Sequence, residues 1–149
     1  MVRVNKILVP VDFSECSRAA LRHAVFFGNG LGASEIDVLH VWQPPAFLVL
    51  ETKLKTTEGR EETLAEIVKS KIGQSMKDFL AEVESGGSFA VHGRLETGEP
   101  RQAILEVAAL EGYDLIVMGA RGETATPTLG STVQEVVRSA TCPVLTIRI

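Results

Sequence analysis

Two short segments of the 149-residue sequence carry residue types suited to holding an anion or a sugar hydroxyl. The first, Pro10-Val11-Asp12-Phe13-Ser14, places a carboxylate directly after an apolar run. The second, Gly119-Ala120-Arg121-Gly122, is followed after a short loop by Gly130-Ser131-Thr132. Glycines let the backbone approach a ligand closely, and the amides at a helix start point unsatisfied N–H donors at an anion. With two hydroxyls and the Arg121 charge, the second segment has the composition of a phosphate-binding cradle.

Each segment also has a simpler interpretation. In this interpretation, Gly119 and Gly122 simply shape a turn, and Ser131 or Thr132 simply caps the following helix, without any ligand. Asp12 could hydrogen-bond a sugar hydroxyl or help to hold a metal. A carboxylate at this place also compensates the dipole of the first helix, and for Asp12 alone that role is the better supported one. The residue types by themselves leave these alternatives open.

Other kinds of chemistry find less support in the sequence. It contains no GxxxxGK[ST] phosphate loop, and His23, His40 and His92 show no metal-ligand spacing, so we expect each histidine to be structural or at the surface. Cys16 has no identifiable base beside it and is expected to be a small buried residue, and Cys142 is expected in the core. No residue set supplies a general base and an electrophile for rapid turnover, so the sequence favours a binding protein over an enzyme and leaves slow hydrolysis of a bound ligand as the open alternative.

The elements that position these segments alternate between strands and helices. Apolar runs predict parallel strands at Lys6–Pro10, Ile36–Trp42, Tyr113–Met118 and Val144–Ile149. A further strand is predicted at Phe89–Leu95, where polar residues interrupt the apolar ones. The first helix is predicted from its N-cap Ser14 to the glycines Gly28, Gly30 and Gly32, and the second from about Glu61 to before Gly86. The third is predicted from Pro100 to just before Gly112, and the fourth over a segment with Val133, Val136, Val137 and Ala140 facing inward. This alternation predicts one α/β domain over residues 1–149, with helices on both faces of a parallel sheet.

One irregular stretch, Gln43–Thr57, interrupts the alternation and contains the apolar run Pro44–Leu50. This run could cover the sheet, close over a site or meet a partner, and the sequence does not choose among these roles.

Composition narrows the classes of partner. The net charge of −4 argues against a surface that neutralises nucleic acid, and an aromatic content of 5% argues against a platform for stacked bases. The two cysteines, Cys16 and Cys142, fit a reducing cytosol. No leader is recognisable and no apolar run approaches the ~20 residues that span a bilayer, so we expect a cytoplasmic protein without a membrane partner.

Taken in order, several segments resemble the universal stress protein family. They are Lys6–Ser14, Leu39-His40-Val41, Asp114–Gly119, Gly130-Ser131-Thr132 and Cys142–Leu145, and the resemblance runs from end to end. It implies a three-layer α/β fold of the adenine nucleotide alpha hydrolase type, with five parallel strands in the order 3-2-1-4-5 and four helices. It also implies a homodimer formed through the last strand, Val144–Ile149.

One branch of that family binds ATP through a motif of the form G-x2-G-x9-G-[ST]. The resemblance implies that Pro10, Val11, Asp12 and Val41 border the adenine and ribose, and that Met118 and Gly119 continue this wall. It implies that Gly122, Gly130, Ser131 and Thr132 hold the phosphates, while a role for Arg121 follows only from its charge. Strands one and four would be neighbours, so both segments would flank one crevice. Any Mg²⁺ would arrive with the nucleotide, with Asp12 as a candidate contact.

The sequence departs from that pattern in one place. Seven residues, Glu123–Leu129, separate Gly122 from Gly130, where the family motif has nine. Glu123 would repel phosphate, and Pro127 removes one amide donor. The leading hypothesis is a cytoplasmic protein that binds an adenine nucleotide, with ATP expected, in stress response or signalling. The alternatives are a dimeric interaction module of the same fold without nucleotide, and a domain that binds another phosphate ligand.

Overall fold

The centre of the fold is a parallel β-sheet, seen in a computed structural model that describes residues 2–83, 87, 89–122 and 127–149. The elements in chain order are β1 (Lys6–Pro10), α1 (Glu15–Leu31), β2 (Glu35–Trp42), β3 (Lys53–Lys55), β4 (Glu61–Thr63), α2 (Leu64–Ala81), β5 (Ala90–Thr97), α3 (Pro100–Leu110), β6 (Leu115–Gly119), α4 (Ser131–Ser139) and β7 (Val144–Ile147). Five strands form the sheet, all parallel, in the order β5-β2-β1-β6-β7. The predicted fold and strand order are therefore confirmed.

Alternate residues of the central strands pack against different pairs of helices. Ile7 and Ile36 face α1 and α2, in one buried cluster that includes Phe79. Leu8 and Leu39 face α3 and α4, in a second cluster that includes Ile104 and Val136. Because successive side chains of a strand point to opposite faces, continuous apolar runs such as Ile7-Leu8-Val9 serve both clusters. This accounts for the three layers.

The sheet reverses its strand order between β1 and β6. β1 pairs with β2 from Lys6 to Pro10, whereas it pairs with β6 only at Ile7↔Leu115 and Leu8↔Ile116. The pairing of β1 with β6 thus ends before either strand does. A crevice at the carboxyl ends of two such strands is the usual ligand site of an open α/β sheet.

The region between β2 and α2 differs from its prediction. β3 and β4 form a two-stranded antiparallel sheet, so the stretch Gln43–Thr57 is not wholly irregular and the helix does not begin at Glu61. The helix begins at Leu64, because the Thr63 hydroxyl accepts from the Glu66 amide while the Glu66 carboxylate accepts from the Thr63 amide. This capping box defines the helix start more sharply than the apolar periodicity does.

Two details of the helices were also predicted wrongly. Gly28 lies inside α1, which continues to Leu31 and ends at Gly32 in the left-handed conformation, with φ of 70°. A Cβ on Gly28 would lie 3.2 Å from both Ile36 and Phe89, so this glycine serves close packing instead of helix termination. Val137, predicted to face inward from α4, is 48% exposed because the inner stripe of this helix holds Val133 and Val136.

Several apolar side chains lie at the surface of segment 44–50. Phe47 is 84% exposed and Val49 is 63% exposed. Among the described residues, no helix is both long and apolar enough to cross a membrane.

Candidate functional site

A cavity of about 310 Å³ opens at the carboxyl ends of β1 and β6. Every residue that the sequence proposed for a site contributes to its lining: Pro10, Val11, Asp12, Val41, Met118, Gly119, Arg121, Gly122, Gly130, Ser131 and Thr132. Residues more than 100 positions apart in sequence thus meet at the point where the strand order reverses. Segment 44–50 does not line this cavity.

The lining also includes residues that sequence reasoning did not assign to a site. They are Ser17, Leu39, His40, Pro100, Ile104 and Val133. Leu39 and Ile104 are buried members of the cluster beneath α3 and α4, so the floor of the cavity is continuous with the core. The position of α3 beside the strand ends brings Ile104 there, and the sequence carried no signal for it beyond its place on the inner face of a helix.

Asp12 has the helix-start role considered for it, and it also borders the crevice. Its Oδ1 accepts a hydrogen bond from the Ser14 amide at 3.1 Å, so the carboxylate supports the start of α1. Its Oδ2 points to the other side of the crevice, where a Cβ on Gly122 would lie only 2.7 Å away. The exposed carboxylate therefore lies between the two segments that line the cavity.

Gly119 is required by close packing of β6 on α1. A Cβ at this position would lie 2.9 Å from the carbonyl carbon of Cys16 and 3.0 Å from its Sγ. The Cys16 thiol is buried and lies 3.2 Å from the Ile147 carbonyl oxygen, to which it donates a hydrogen bond. Cys16 is thus a small buried residue, as predicted, and its thiol is part of the packing beside the cavity.

The start of α4 differs from the starts of α1, α2 and α3. Ser14, Thr63 and Glu99 each use a side-chain oxygen to accept a backbone N–H in the first turn of their helices. Gly130 occupies the same position before α4 and provides no side-chain cap. Because the first amides of a helix have no intrahelical acceptor, those of α4 present N–H donors toward the cavity. The geometry suits an anion.

Two hydrogen bonds tie the loop between Gly119 and Gly130 to the end of the chain, and a third joins two residues of the loop itself. The Ala120 amide donates to Ile147 O at 2.8 Å, and the Gly130 amide donates to Ala120 O at 3.0 Å. Arg121 is one of the residues that line the cavity, and its Nη2 donates to Ile149 O at 3.2 Å. Glu123, which we expect to repel phosphate, lies outside the described residues.

The histidines have structural partners. His40 Nδ1 lies 2.9 Å from Val11 O, and because a carbonyl can only accept, Nδ1 carries the proton. The His40 ring stacks on Phe13 with centroids 4.6 Å apart. His23 donates to Ala19 O in the same way, and His92 contacts Asp37 at 3.2 Å. Among the described residues, no group of three or more His, Cys, Asp or Glu side chains could hold a metal ion.

A network of hydrogen bonds between ionisable side chains lies below the cavity, beside the amino end of β6. The buried Tyr113 hydroxyl donates to the buried carboxylate of Asp37, and Arg94 donates to the Tyr113 oxygen at 3.3 Å and to Glu111. Burial, followed by the hydrogen bond to Asp37, raises the pKa of Tyr113 above its usual range. Arg94 lowers the pKa of Glu111 through their hydrogen bond. This network stabilises the fold and does not reach the cavity lining.

Fold and site together define a small doubly wound α/β protein with its cavity at the strand-order reversal. Residues 3–148 match the model of the universal stress protein family, so the chain belongs to that family. A universal stress protein of Methanocaldococcus jannaschii is 31% identical over 99% of this chain and 96% of its own length. The solved structure of that protein has a TM-score of 0.78 with this one, at 32% identity, and covers 99% of this chain and 98% of that one.

Three further solved structures share the fold at 19% identity. One universal stress protein is in complex with cAMP, with a TM-score of 0.71 over 98% of both chains. One from Archaeoglobus fulgidus is in complex with dAMP, with a TM-score of 0.60 over 99% of both chains. One from Arabidopsis thaliana has AMP bound, with a TM-score of 0.65 over 97% of this chain and 91% of that one.

Proposed function

We propose that this universal stress protein binds an adenine nucleotide, with ATP as the expected ligand, in the cavity between the ends of β1 and β6. The observation that carries the proposal is the meeting in one cavity of an apolar wall and an uncapped helix start. A nucleotide needs both, because its base is largely apolar and its phosphates need N–H donors. The adenine nucleotides held by three structural neighbours support the same ligand class.

In the proposed complex, the base and ribose contact the wall that borders β1 and β2. The wall residues are Pro10, Val11, Val41, Met118 and Gly119. No tyrosine or tryptophan is among the cavity residues, so the adenine lies against aliphatic side chains. The Asp12 carboxylate, at the mouth of the crevice, accepts from a ribose hydroxyl or contacts Mg²⁺ that the nucleotide brings with it.

The phosphates in the proposed complex lie over the start of α4. Gly122 and Gly130 let them approach the backbone, and Ser131 and Thr132 add amide and hydroxyl donors. Arg121 adds positive charge at the edge of the same cavity. Because the amides are neutral donors held by the fold, this arrangement binds an anion on a chain whose net charge is −4.

We also propose that the chain forms a homodimer through β7 and the residues that follow it, Val144–Ile149. β7 is the last strand of the sheet and pairs only with β6 among the described residues. An unpaired edge with Val144 and Leu145 half-buried favours pairing with a second copy. Sizing with light scattering at micromolar concentration is expected to give the mass of a dimer, and a monomer mass would contradict it.

The proposed setting is the cytoplasm, in stress response or signalling. Cys16 and Cys142 are both free, which fits a reducing compartment. Burial raises the pKa of the Cys142 thiol, so this residue stays protonated and unreactive at neutral pH.

The ligand class is tested by identifying what the protein carries. Freshly purified protein is denatured, and the released small molecules are separated and identified by mass. We expect an adenine nucleotide in a fixed ratio to protein. Absence of any nucleotide, together with no binding when ATP is added back, would favour the interaction module without nucleotide. Release of a different phosphate compound would favour a domain that binds another phosphate ligand.

A further inference from the structure

A second cavity, of about 380 Å³, lies on the opposite face of the sheet. It is bounded by the amino-terminal half of α2 and the carboxyl ends of β2 and β5. The side chains that matter for its chemistry are His40, Trp42, Lys69, Ile72, Leu95 and Thr97. It lies at the β5 edge of the sheet, far from the β7 edge proposed for the dimer.

One wall of this cavity is apolar. Trp42 and Ile72 are half-buried, and Leu95 is a large apolar side chain that is still 41% exposed. α2 packs tightly on β5 at Gly93, where a Cβ would lie 2.7 Å from Met76 Cγ, and the space opens beyond that contact. The indole and the two aliphatic side chains together offer a surface that suits a planar apolar group.

The polar part of the cavity is positive. Lys69 makes no ion pair or hydrogen bond with any of the described residues, and neither the Trp42 N–H nor the Thr97 hydroxyl has a hydrogen-bond partner among them. Glu96 also borders the cavity, but its carboxylate accepts from Arg94 at 3.1 Å. Arg94 in turn bonds Tyr113 under α3, so strand alternation places the Glu96 carboxylate on the other face of the sheet.

We propose that this second cavity binds a small organic anion with a planar apolar body, of the chemical class of an aromatic carboxylate. The ring lies on Trp42 and Leu95, and the carboxylate accepts from the Lys69 ammonium. A charge-assisted hydrogen bond beside an apolar wall is a common way to fix such a ligand. The proposal stands independently of nucleotide binding, because the two cavities share only His40.

The test uses the tryptophan itself, since Trp42 is the single tryptophan of the chain and its fluorescence reports directly on this cavity. The full-length protein is titrated with benzoate, with benzyl alcohol, which has the ring without the charge, and with acetate, which has the charge without the ring. We expect a saturable change in Trp42 emission with benzoate at lower concentration than with either of the others. Equal responses to all three, or no saturable response to benzoate, would overturn the proposal.

Two matched variants locate the binding. Lys69→Gln is expected to weaken benzoate binding about tenfold, the loss of one charge-assisted contact. Lys71→Gln, an exposed position on the same helix outside the cavity, is expected to leave it unchanged. Equal weakening in both variants would contradict the assignment. Displacement of benzoate by ATP in direct competition would place the probe in the first cavity and overturn the proposal, whether or not ATP binding itself is confirmed.

Discussion

The carboxylate of Asp12 lies against the backbone of Gly122, so closely that a Cβ on the glycine would be 2.7 Å from Asp12 Oδ2. The other oxygen of the same carboxylate accepts from the Ser14 amide. One side chain therefore supports the start of α1 and meets the glycine loop across the crevice. The contact joins the β1 side of the proposed nucleotide site to its β6 side.

Replacing Gly122 with alanine is expected to weaken ATP binding more than it destabilises the fold. The added methyl group must displace the Asp12 carboxylate, because no other arrangement removes the 2.7 Å contact without moving the loop. We expect the dissociation constant for ATP to rise about tenfold, equivalent to ~1.4 kcal/mol, measured by calorimetric titration of nucleotide-free protein.

The matched control for this variant is Gly30→Ala. A Cβ on Gly30 meets nothing within 4 Å, and the residue lies inside α1. Alanine there is expected to raise the free energy of unfolding by about 0.5–1 kcal/mol and to leave ATP affinity unchanged. ATP binding by Gly122→Ala with wild-type affinity would show that Asp12 and Gly122 take no part in the site.

Replacing Gly130 with aspartate is expected to abolish ATP binding without lowering the stability of the fold. The φ of −62° and ψ of 155° at Gly130 suit any residue, and its Cβ would have only ordinary contacts at 3.9 Å or more. The carboxylate would cap α4 by accepting the amides that we assign to phosphate. Urea unfolding should show stability equal to or a few tenths of a kcal/mol above wild type. ATP should no longer stabilise the variant, and retained stabilisation would contradict the proposed role of the α4 amides.

Tyr113 is the single tyrosine of the chain, so its ionisation can be followed by absorbance near 295 nm without interference from another phenol. Because burial and the Asp37 hydrogen bond raise its pKa, the folded protein should titrate well above the ordinary value of about 10. In urea the midpoint should return to that value. A midpoint at or below about 10 in the folded protein would contradict the buried hydrogen bond.

The raised pKa of Tyr113 also determines how the free energy of unfolding changes with pH. A raised pKa in the folded state means that the unfolded chain loses its phenolic proton first as the pH rises. The contribution of the protonated Tyr113 hydroxyl to stability is therefore fully present below about pH 10 and decreases as the pH rises above it. Tyr113→Phe should lose about 1–3 kcal/mol at neutral pH, because Asp37 keeps its burial and loses a donor. Its unfolding free energy should lack this alkaline decrease.

Phe13 adopts a backbone conformation that disfavours any side chain. Its φ is 64°, and its ring is held between His40 and Phe79, with centroid separations of 4.6 and 5.5 Å. Both Phe13→Ala and Phe13→Gly lose these ring contacts. We expect the glycine variant to be the more stable of the two by about 1 kcal/mol, the reverse of the usual order, because glycine adopts positive φ without strain. Urea unfolding of the pair checks this, and an alanine variant as stable as the glycine variant would contradict the strain.

The sheet could be predicted because its strands are buried on both faces. Runs such as Ile7-Leu8-Val9 and Ile116-Val117-Met118 need no tertiary information to indicate parallel strands. β3 and β4 could not be found in this way. Lys53, Leu54 and Lys55 are all exposed, so the short hairpin leaves no apolar pattern in the sequence. Only the Thr63–Glu66 capping box offered a local signal for where α2 begins.

The glycine and hydroxyl positions of the candidate site could be predicted from the sequence, whereas part of its apolar wall could not. Glycines and hydroxyls at a strand end indicate where a loop meets a helix, so Gly122 and Gly130 could be proposed from sequence. Ile104 and Leu39 enter the cavity through the packing of α3 on the sheet, which no local pattern encodes. No local pattern indicates the positive φ of Phe13 either, and its ring contacts His40 and Phe79, which are distant in sequence.

The central claim is that the cavity between β1 and β6 holds an adenine nucleotide. The most direct measurement is the free energy of unfolding of nucleotide-free protein with and without ATP and Mg²⁺. A ligand at about 100 times its dissociation constant should raise that free energy by roughly 2.7 kcal/mol. We predict such an increase for the natural sequence and none for Gly130→Asp. The same unfolding free energy for the natural sequence with and without millimolar ATP would contradict the account.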